Sequence, residues 1–321
     1  MAAAASAVGT FTPSAGGEAW LQRTLAFMLG TKVAAEAWEG IAPHPRTTLV
    51  TRDTDPASGR PRNIELLTEH ARRCLPTGST KQFAVDFNDC AGKWSTPDTL
   101  MVAYVRPAGS RNAVLFPLQH YQTPRSSPPR SAWETKKDAL VWRGASTGLG
   151  SRIEFLRRVR HLHGDAPDLD LGLTQIVQRP PADAAEYQKP YMSHLELFSH
   201  RYVLVLEGND VGSLMGDALR SDCVPLAPYP LTYETMQFCG LEPWVHFVPV
   251  AHDATDLRER LDWCRAHAAE CAAIVAAGQA HMAPFDDLRL FDELLRRWME
   301  AYAFHVSASA VDTALTAPPC A

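Results

Sequence analysis

Short apolar runs with the character of strands alternate with amphipathic stretches in the second half of the chain. The clearest run, residues 202–207, ends at Gly208, Asn209 and Asp210, and helical spacing begins again near Ser213. Further strands are predicted at residues 139–143, 223–227 and 246–250, and helices at 151–161, 193–199, 255–267, 268–281 and 285–303. Strands that alternate with helices predict a parallel sheet covered by helices on both faces.

The first half shows a smaller α/β pattern. Helices are predicted at residues 18–38, with a break at Gly30, and at 63–74, and short strands at 82–87, 100–105 and 113–118. Residues 44–62 are predicted to be a loop. Residues 122–132 are rich in Pro, Ser and Arg and predict a connector. The expected domains are 18–125 and 133–284, followed by a helix at 285–304, with disordered segments at 1–17 and 305–321.

Composition limits the classes of function. The chain has 321 residues, 46% of them apolar, and a net charge of −5, so no overall basic field attracts nucleic acid. Seven scattered cysteines, an odd number, favour reduced thiols. We expect no transmembrane segment and no secretory signal, which favours a cytoplasmic or peripheral membrane protein; the secretory pathway is expected only if the N-terminus is incomplete.

Two glycine-rich turns are candidates for anion binding. The first follows the 202–207 strand, where a helix N-terminus would bring unpaired N–H groups and a positive dipole end to one point. The second lies in WRGASTGLGSR, residues 142–152, where Arg143 and Arg152 flank the turn. Because both turns are expected at carboxyl ends of strands in one sheet, they predict a shared crevice for a nucleotide diphosphate.

The second turn has an alternative interpretation. GASTGLG is similar to the dinucleotide fingerprint of an NAD(P)-dependent oxidoreductase, although no tyrosine in this chain has a lysine four positions later. A candidate for proton transfer lies in the first half, where Asp86 and Asp89 follow a predicted strand in FAVDFNDCAG. A carboxylate at a strand end that faces a cleft is suited to act as a general base.

Several linked segments resemble glycosyltransferase family 90. They are RNAVLFPLQHY, WETKKDALVWRGA, YMSHLELFSHRYVLVLEGNDVGS, TYET and EPWVHFVPVAHDATDLRERLDWC, and their order and spacing extend over about residues 83–303. The family includes lipopolysaccharide core sugar transferases, fungal capsule-associated transferases and protein O-glucosyltransferases.

The resemblance implies a GT-B-like α/β fold in which two Rossmann-like domains face a central cleft. It also implies inverting transfer of a sugar, of glucose or xylose type, from a UDP-sugar to a hydroxyl of a glycan, lipopolysaccharide or protein acceptor, with no cofactor or metal. Asp89 matches the general base of the family, and Tyr233 and Glu234 match the segment that lines the donor sugar or nucleoside. The donor-binding positions that it implies are Arg143, Gly144, Arg152, Gly208, Asn209, Asp210, Val211, Gly212 and Ser213.

One position departs from the family pattern. Relatives usually carry a basic residue in the helix after the glycine turn, where this chain has Leu214-Met215-Gly216-Asp217. The acidic Asp217 predicts a weaker phosphate site, and it leaves open a non-catalytic protein that binds a sugar nucleotide or a glycan.

Overall fold

The computed structural model describes residues 11–32, 41–55, 61–89, 91–118, 122–148 and 150–305. These residues form eight α-helices: α1 (Ala15–Leu29), α2 (Pro61–Cys74), α3 (Ser151–His163), α4 (His194–Leu197), α5 (Met215–Arg220), α6 (Leu257–Ala266), α7 (Ala268–Asp286) and α8 (Leu288–His305). Strands of the first half are β1 (Ala42–Pro43), β2 (Thr48–Thr51), β3 (Gln82–Val85), β4 (Thr99–Leu100), β5 (Val102–Ala103), β6 (Arg106–Pro107) and β7 (Val114–Leu115). Strands of the second half are β8 (Lys137–Ala145), β9 (Leu169–Gln175), β10 (His200–Leu204), β11 (Val224–Pro228), β12 (Tyr233–Glu234) and β13 (Val248–Val250).

The second half forms a five-stranded sheet in the order β13-β11-β10-β8-β9. Every neighbouring pair in it is parallel, which confirms the expected parallel sheet. Strand β9 was not predicted. Its sequence LDLGLTQ places aspartate and glycine between leucines, and β9 lies at the edge of the sheet, paired only with β8.

The first half forms a four-stranded sheet in the order β2-β3-β5-β7. Strands β3, β5 and β7 are parallel neighbours, whereas β2 pairs antiparallel with β3. The prediction of a loop over residues 44–62 was therefore wrong at β2. Its sequence TLVT is rich in β-branched residues, which favour a strand, but it is too short for its pattern to be distinct from the polar residues around it.

Helices from distant parts of the sequence cover the first sheet. Trp298 and Tyr302 of α8 pack against Phe83 of β3, with ring centroids 6.2 and 4.8 Å apart. The backbone N–H of Ala84 donates to the Tyr302 hydroxyl at 3.3 Å. The chain thus returns from the second sheet to complete the core of the first.

The two halves also meet through one short strand pairing. Strand β12 pairs antiparallel with β6, and residues 122–132, the connector segment, contain neither helix nor strand. Within the described ranges, none of the helices combines the length and the apolar character needed to cross a membrane. The five described cysteines are free thiols, at Cys74, Cys223, Cys239, Cys264 and Cys271.

Candidate active site

A cavity of about 550 Å³, the cleft cavity, lies between the two sheets. Residues that follow the carboxyl ends of strands in both sheets line it: Asp89 and Tyr104 follow β3 and β5, and Thr147 and Gly208 follow β8 and β10. The connector segment adds Arg125. The remaining residues that line the cleft cavity are Phe87, Leu118, Arg152, His194, Asn209, Asp210, Val211, Ser213, Leu214 and Asp217.

Arg152 joins the two glycine turns. Its guanidinium donates to the carbonyl oxygens of Ala145, Leu206 and Glu207 and to the Thr147 hydroxyl, at 2.8–3.0 Å. Burial lowers the pKa of Arg152 to about 10, so the group stays protonated at neutral pH. The turns therefore share one fixed positive charge at the cleft, that of Arg152.

The turns approach each other closely because glycines occupy the contact points. A Cβ added at Gly208 would lie 2.6 Å from Thr147 Oγ1 and 2.9 Å from Arg152 Nη2. A Cβ added at Gly148, where φ is +95°, would lie 2.9 Å from the Gly208 carbonyl oxygen. The backbone N–H of Gly148 also donates to Asn209 Oδ1 at 3.0 Å. The expected meeting of the two turns is confirmed.

Asp89 is exposed to the cleft cavity and is held by residues from both sheets. Asn209 Nδ2 donates to Asp89 Oδ2 at 2.8 Å, and the Tyr104 hydroxyl lies 3.3 Å from Asp89 Oδ1. The same hydroxyl is hydrogen-bonded to Asp210. The carboxylate is thus positioned beside the turn that follows β10, with access to any molecule in the cavity.

A second cavity of about 390 Å³, the side cavity, shares Arg152 and Gly208 with the cleft cavity. Tyr233 lines it, and its position is set by Glu207, whose carboxylate accepts from the backbone N–H groups of Thr232 at 3.0 Å and Tyr233 at 3.1 Å. The two cavities therefore border the same pair of glycine turns.

The structure does not bring Arg143 to this space. Its guanidinium lies 2.9 Å from the Asp170 carboxylate and 3.0 Å from the Pro190 carbonyl oxygen, and its side chain is 6% exposed. Side chains alternate between the faces of a strand, so a residue in β8 and one in the turn beyond it need not face the same side. Gly144 packs on Trp142, where an added Cβ would lie 2.6 Å from Cζ2.

Glu234 also lies away from the cleft and side cavities. It forms a buried ion pair with Arg106 at 2.7 Å and accepts from the backbone N–H of Gly109 at 3.3 Å. Because adjacent residues of a strand point to opposite faces, Tyr233 and Glu234 of β12 cannot both face one cavity. Val211 is buried in the core beside the cleft, and an added Cβ at Gly212 would lie 2.6 Å from Val205 Cγ1.

Two contributors to the cleft were missed from the sequence. Tyr104 follows β5, the parallel neighbour of β3, so the rule that singles out Asp89 as a polar residue after a strand end also applies to it. Arg125 has no such signal because the connector segment lacks periodicity. In the described part of the chain, no group of three or more His, Cys, Asp or Glu side chains is arranged to hold a metal ion.

The fold and the cleft define an α/β protein of two sheets with paired glycine turns at a shared cavity. The chain belongs to glycosyl transferase family 90, whose model matches residues 120–292. The GASTGLG segment lies inside this range.

Similar proteins include the O-glucosyltransferase LpsA of Dichelobacter nodosus, 31% identical over 64% of this chain and 61% of that protein. Protein O-glucosyltransferase 2 of Danio rerio is 29% identical over 46% of this chain and 29% of its own length. The matched regions thus span less than two thirds of these curated relatives. Among solved structures, TarM aligns with 68% of this chain and 50% of its own, with 10% identity and a TM-score of 0.47.

Proposed function

We propose that the protein transfers a sugar from a nucleotide-sugar donor, UDP-linked and of glucose or xylose type, to a hydroxyl group of a glycan, lipopolysaccharide or protein acceptor. The observation that carries the proposal is the position of Asp89. It is an exposed carboxylate in the same cavity as two glycine turns and a buried, protonated arginine. A base and an anion site in one cavity are the two requirements of this reaction.

The proposed reaction is a single displacement that inverts the anomeric carbon. The acceptor oxygen forms a bond to C1 of the sugar while the bond from C1 to the phosphate oxygen breaks, and its electron pair leaves with the nucleoside diphosphate. Asp89 takes the proton of the acceptor hydroxyl. Arg152 and the N–H groups of the turns stabilise the charge that grows on the diphosphate, and we propose that no metal is needed for this.

The two cavities suggest how the donor is divided. We place the diphosphate beside Gly208 and Arg152, because these two residues line both cavities. The sugar then lies in the cleft cavity near Asp89, and the nucleoside lies in the side cavity against Tyr233. The relatives named O-glucosyltransferases support glucose as the first sugar to test.

The test compares Asp89→Asn with Asp86→Asn. Asp86 precedes Asp89 by three residues and is 4% exposed, but it does not line the cleft cavity. With UDP-glucose or UDP-xylose and a panel of hydroxyl acceptors, Asp89→Asn is expected to lower kcat by about 100-fold or more, with UDP binding retained. Asp86→Asn is expected to lower stability rather than kcat. Equal rates for wild type and Asp89→Asn would exclude this residue as the base.

Further measurements test the details of the proposal and separate the alternatives. The anomeric configuration of the first-formed product, followed by NMR, distinguishes inversion from retention, and activity in EDTA tests the absence of a metal requirement. A thermal shift with NADP and none with any nucleotide diphosphate would favour the oxidoreductase alternative. Binding of UDP-sugars with no transfer to any acceptor would favour a binding protein.

A further inference from the structure

The connector segment delivers a guanidinium group to the cleft cavity. Arg125 Nη1 lies 3.3 Å from each carboxylate oxygen of Asp217 in α5, and the Arg125 side chain is 33% exposed. Both residues line the cleft cavity. The contact joins a segment without helix or strand to α5, the helix that follows the first glycine turn, at Gly208.

Arg125 is fixed by a ring of charged groups. Its backbone N–H donates to Asp286 Oδ1 at 3.1 Å, and Asp286 at the end of α7 accepts two 2.7 Å hydrogen bonds from Arg220. Arg220 is on α5, three residues after Asp217, and its Nη1 lies 3.9 Å from Asp217 Oδ1. The connector, α5 and α7 therefore hold the guanidinium at the cavity wall.

The buried Asp217 carboxylate requires a cation such as Arg125 beside it. Its side chain is only 11% exposed and borders a cavity that also holds the carboxylates of Asp89 and Asp210. Three carboxylates repel a diphosphate unless positive charge faces them. Arg152 donates to four acceptors within the turns, so it serves mainly as a fixed charge, whereas Arg125 lies at the wall with a third of its side chain exposed.

We propose that Arg125 binds the diphosphate of a nucleoside diphosphate ligand. Asp217 positions the Arg125 guanidinium and competes with the ligand for it. The proposal rests on the proposed function. In the ligand-free protein the guanidinium is paired with Asp217. When a diphosphate enters, the same guanidinium contacts a phosphate oxygen, and the pair with Asp217 re-forms when the nucleoside diphosphate leaves.

This arrangement predicts opposite effects from two substitutions on one ion pair. Arg125→Gln removes the cation and leaves Asp217 facing the ligand, so UDP binding is expected to weaken about tenfold or more. Asp217→Asn keeps an acceptor for Arg125 but removes the competing charge, so UDP binding is expected to tighten severalfold. If Arg125 and Asp217 only maintained the fold, both substitutions would instead weaken UDP binding.

The experiment measures dissociation constants for UDP and for uridine by calorimetry, with thermal melting of every variant. Arg130→Gln is the matched control, because Arg130 is an exposed arginine of the same connector that reaches the Arg220 carbonyl at 3.5 Å and lies outside the cleft cavity. Arg125→Lys, which keeps the charge, is expected to recover part of the UDP affinity. Uridine binding is expected to be unaffected in all of them.

Each outcome decides the proposal. Weaker UDP binding in Arg125→Gln together with tighter binding in Asp217→Asn supports it. Unchanged UDP affinity in Arg125→Gln, or an equal loss in both variants with lowered melting temperatures, overturns it and leaves the proposed function intact. A wild-type protein that binds neither UDP nor inorganic pyrophosphate overturns both.

Discussion

Asn209 places an amide of the second sheet against a carboxylate of the first, with Nδ2 2.8 Å from Asp89 Oδ2. The opposite end of that amide, Oδ1, accepts from the backbone N–H of Gly148 at 3.0 Å. One side chain therefore sets the distance from Asp89 to both glycine turns. In a displacement reaction, a small error in this distance separates the base from the hydroxyl that it must deprotonate.

Substitution of Asn209 by alanine is expected to lower kcat by about 10- to 100-fold, because Asp89 loses its partner across the cleft. KM for the donor is expected to change less, since Arg152 and the turn backbone remain. Initial rates with a UDP-sugar measure both constants. Asn112→Ala is the control, because Asn112 donates to the Ser95 carbonyl oxygen at 3.5 Å outside the cleft cavity. An unaltered kcat in Asn209→Ala would rule out this positioning role.

Gly208 tests how closely the two turns must approach. In Gly208→Ala the new Cβ would meet Thr147 and Arg152, so we expect the free energy of unfolding to fall by about 1–3 kcal/mol and UDP binding to weaken. Chemical denaturation and calorimetry measure the two effects. Gly16→Ala is the control, because no heavy atom lies within 4 Å of its Cβ position in α1; it is expected to be neutral or slightly stabilising. Wild-type stability in Gly208→Ala would contradict the close approach.

Substitution of Arg143 tests whether this arginine maintains the fold or binds the ligand. Arg143→Gln leaves Asp170 with Lys189, 2.8 Å away, as its remaining cation, so the free energy of unfolding should fall by about 1–3 kcal/mol. Because Arg143 lines neither cavity, the UDP dissociation constant of the folded variant should equal that of the wild type. Weaker UDP binding at unchanged stability would return Arg143 to the donor site.

Acid stability is expected to depend on Glu293 in α8. Hydrogen bonds from Arg296 and Arg297 lower the pKa of Glu293 from 4.5 to about 2, and Arg297 also pairs with Glu18 of α1 at 2.7 Å. A lowered pKa stabilises the folded state above the unfolded-state pKa, and this contribution disappears as the pH falls from about 4.5 towards 2. Glu293→Gln should be less stable at pH 7 and should lose less stability on acidification.

Urea denaturation at several pH values between 7 and 2.5 measures this dependence. Glu259→Gln serves as the control, because the Glu259 side chain is 74% exposed and pairs with its neighbour Arg260 at 3.3 Å. A wild-type pH profile in Glu293→Gln would mean that the helix pairing contributes nothing to acid stability.

The parallel sheet of the second half was predictable because its central strands have apolar, buried centres and are separated by helices. Strand β10 is a fully apolar run beyond its first residues, and β8 has a buried centre, so periodicity and burial agree. The edge strands β2 and β9 were missed because each is paired on one side only and carries polar residues. The two-residue pairing of β6 with β12 connects segments more than a hundred residues apart, and no local pattern signals it.

The prediction of the site succeeded for residues placed by strand ends. It failed for residues whose position depends on the direction of the side chain. Asp89, Arg152 and Gly208 follow from the rule that ligands bind beyond the carboxyl ends of parallel strands. Arg143 is four residues from Thr147 and Glu234 is next to Tyr233, and only the fold determines that Arg143 and Glu234 turn away from the cavities that these neighbours line. Arg125 could not be predicted as a cleft residue, because only the fold places the connector segment beside α5.

The return of α8 to the first sheet has a consequence for the order in which this chain can fold. Phe83 and Phe116 are covered by Trp298, which is made more than 180 residues later, so this part of the first sheet stays uncovered while the ribosome produces the second. The second sheet is covered by helices from its own half of the chain, so its core does not depend on a later segment in this way. A ribosome-bound chain that stops before Leu288 is therefore expected to protect the later half first and to leave the earlier half open to proteases.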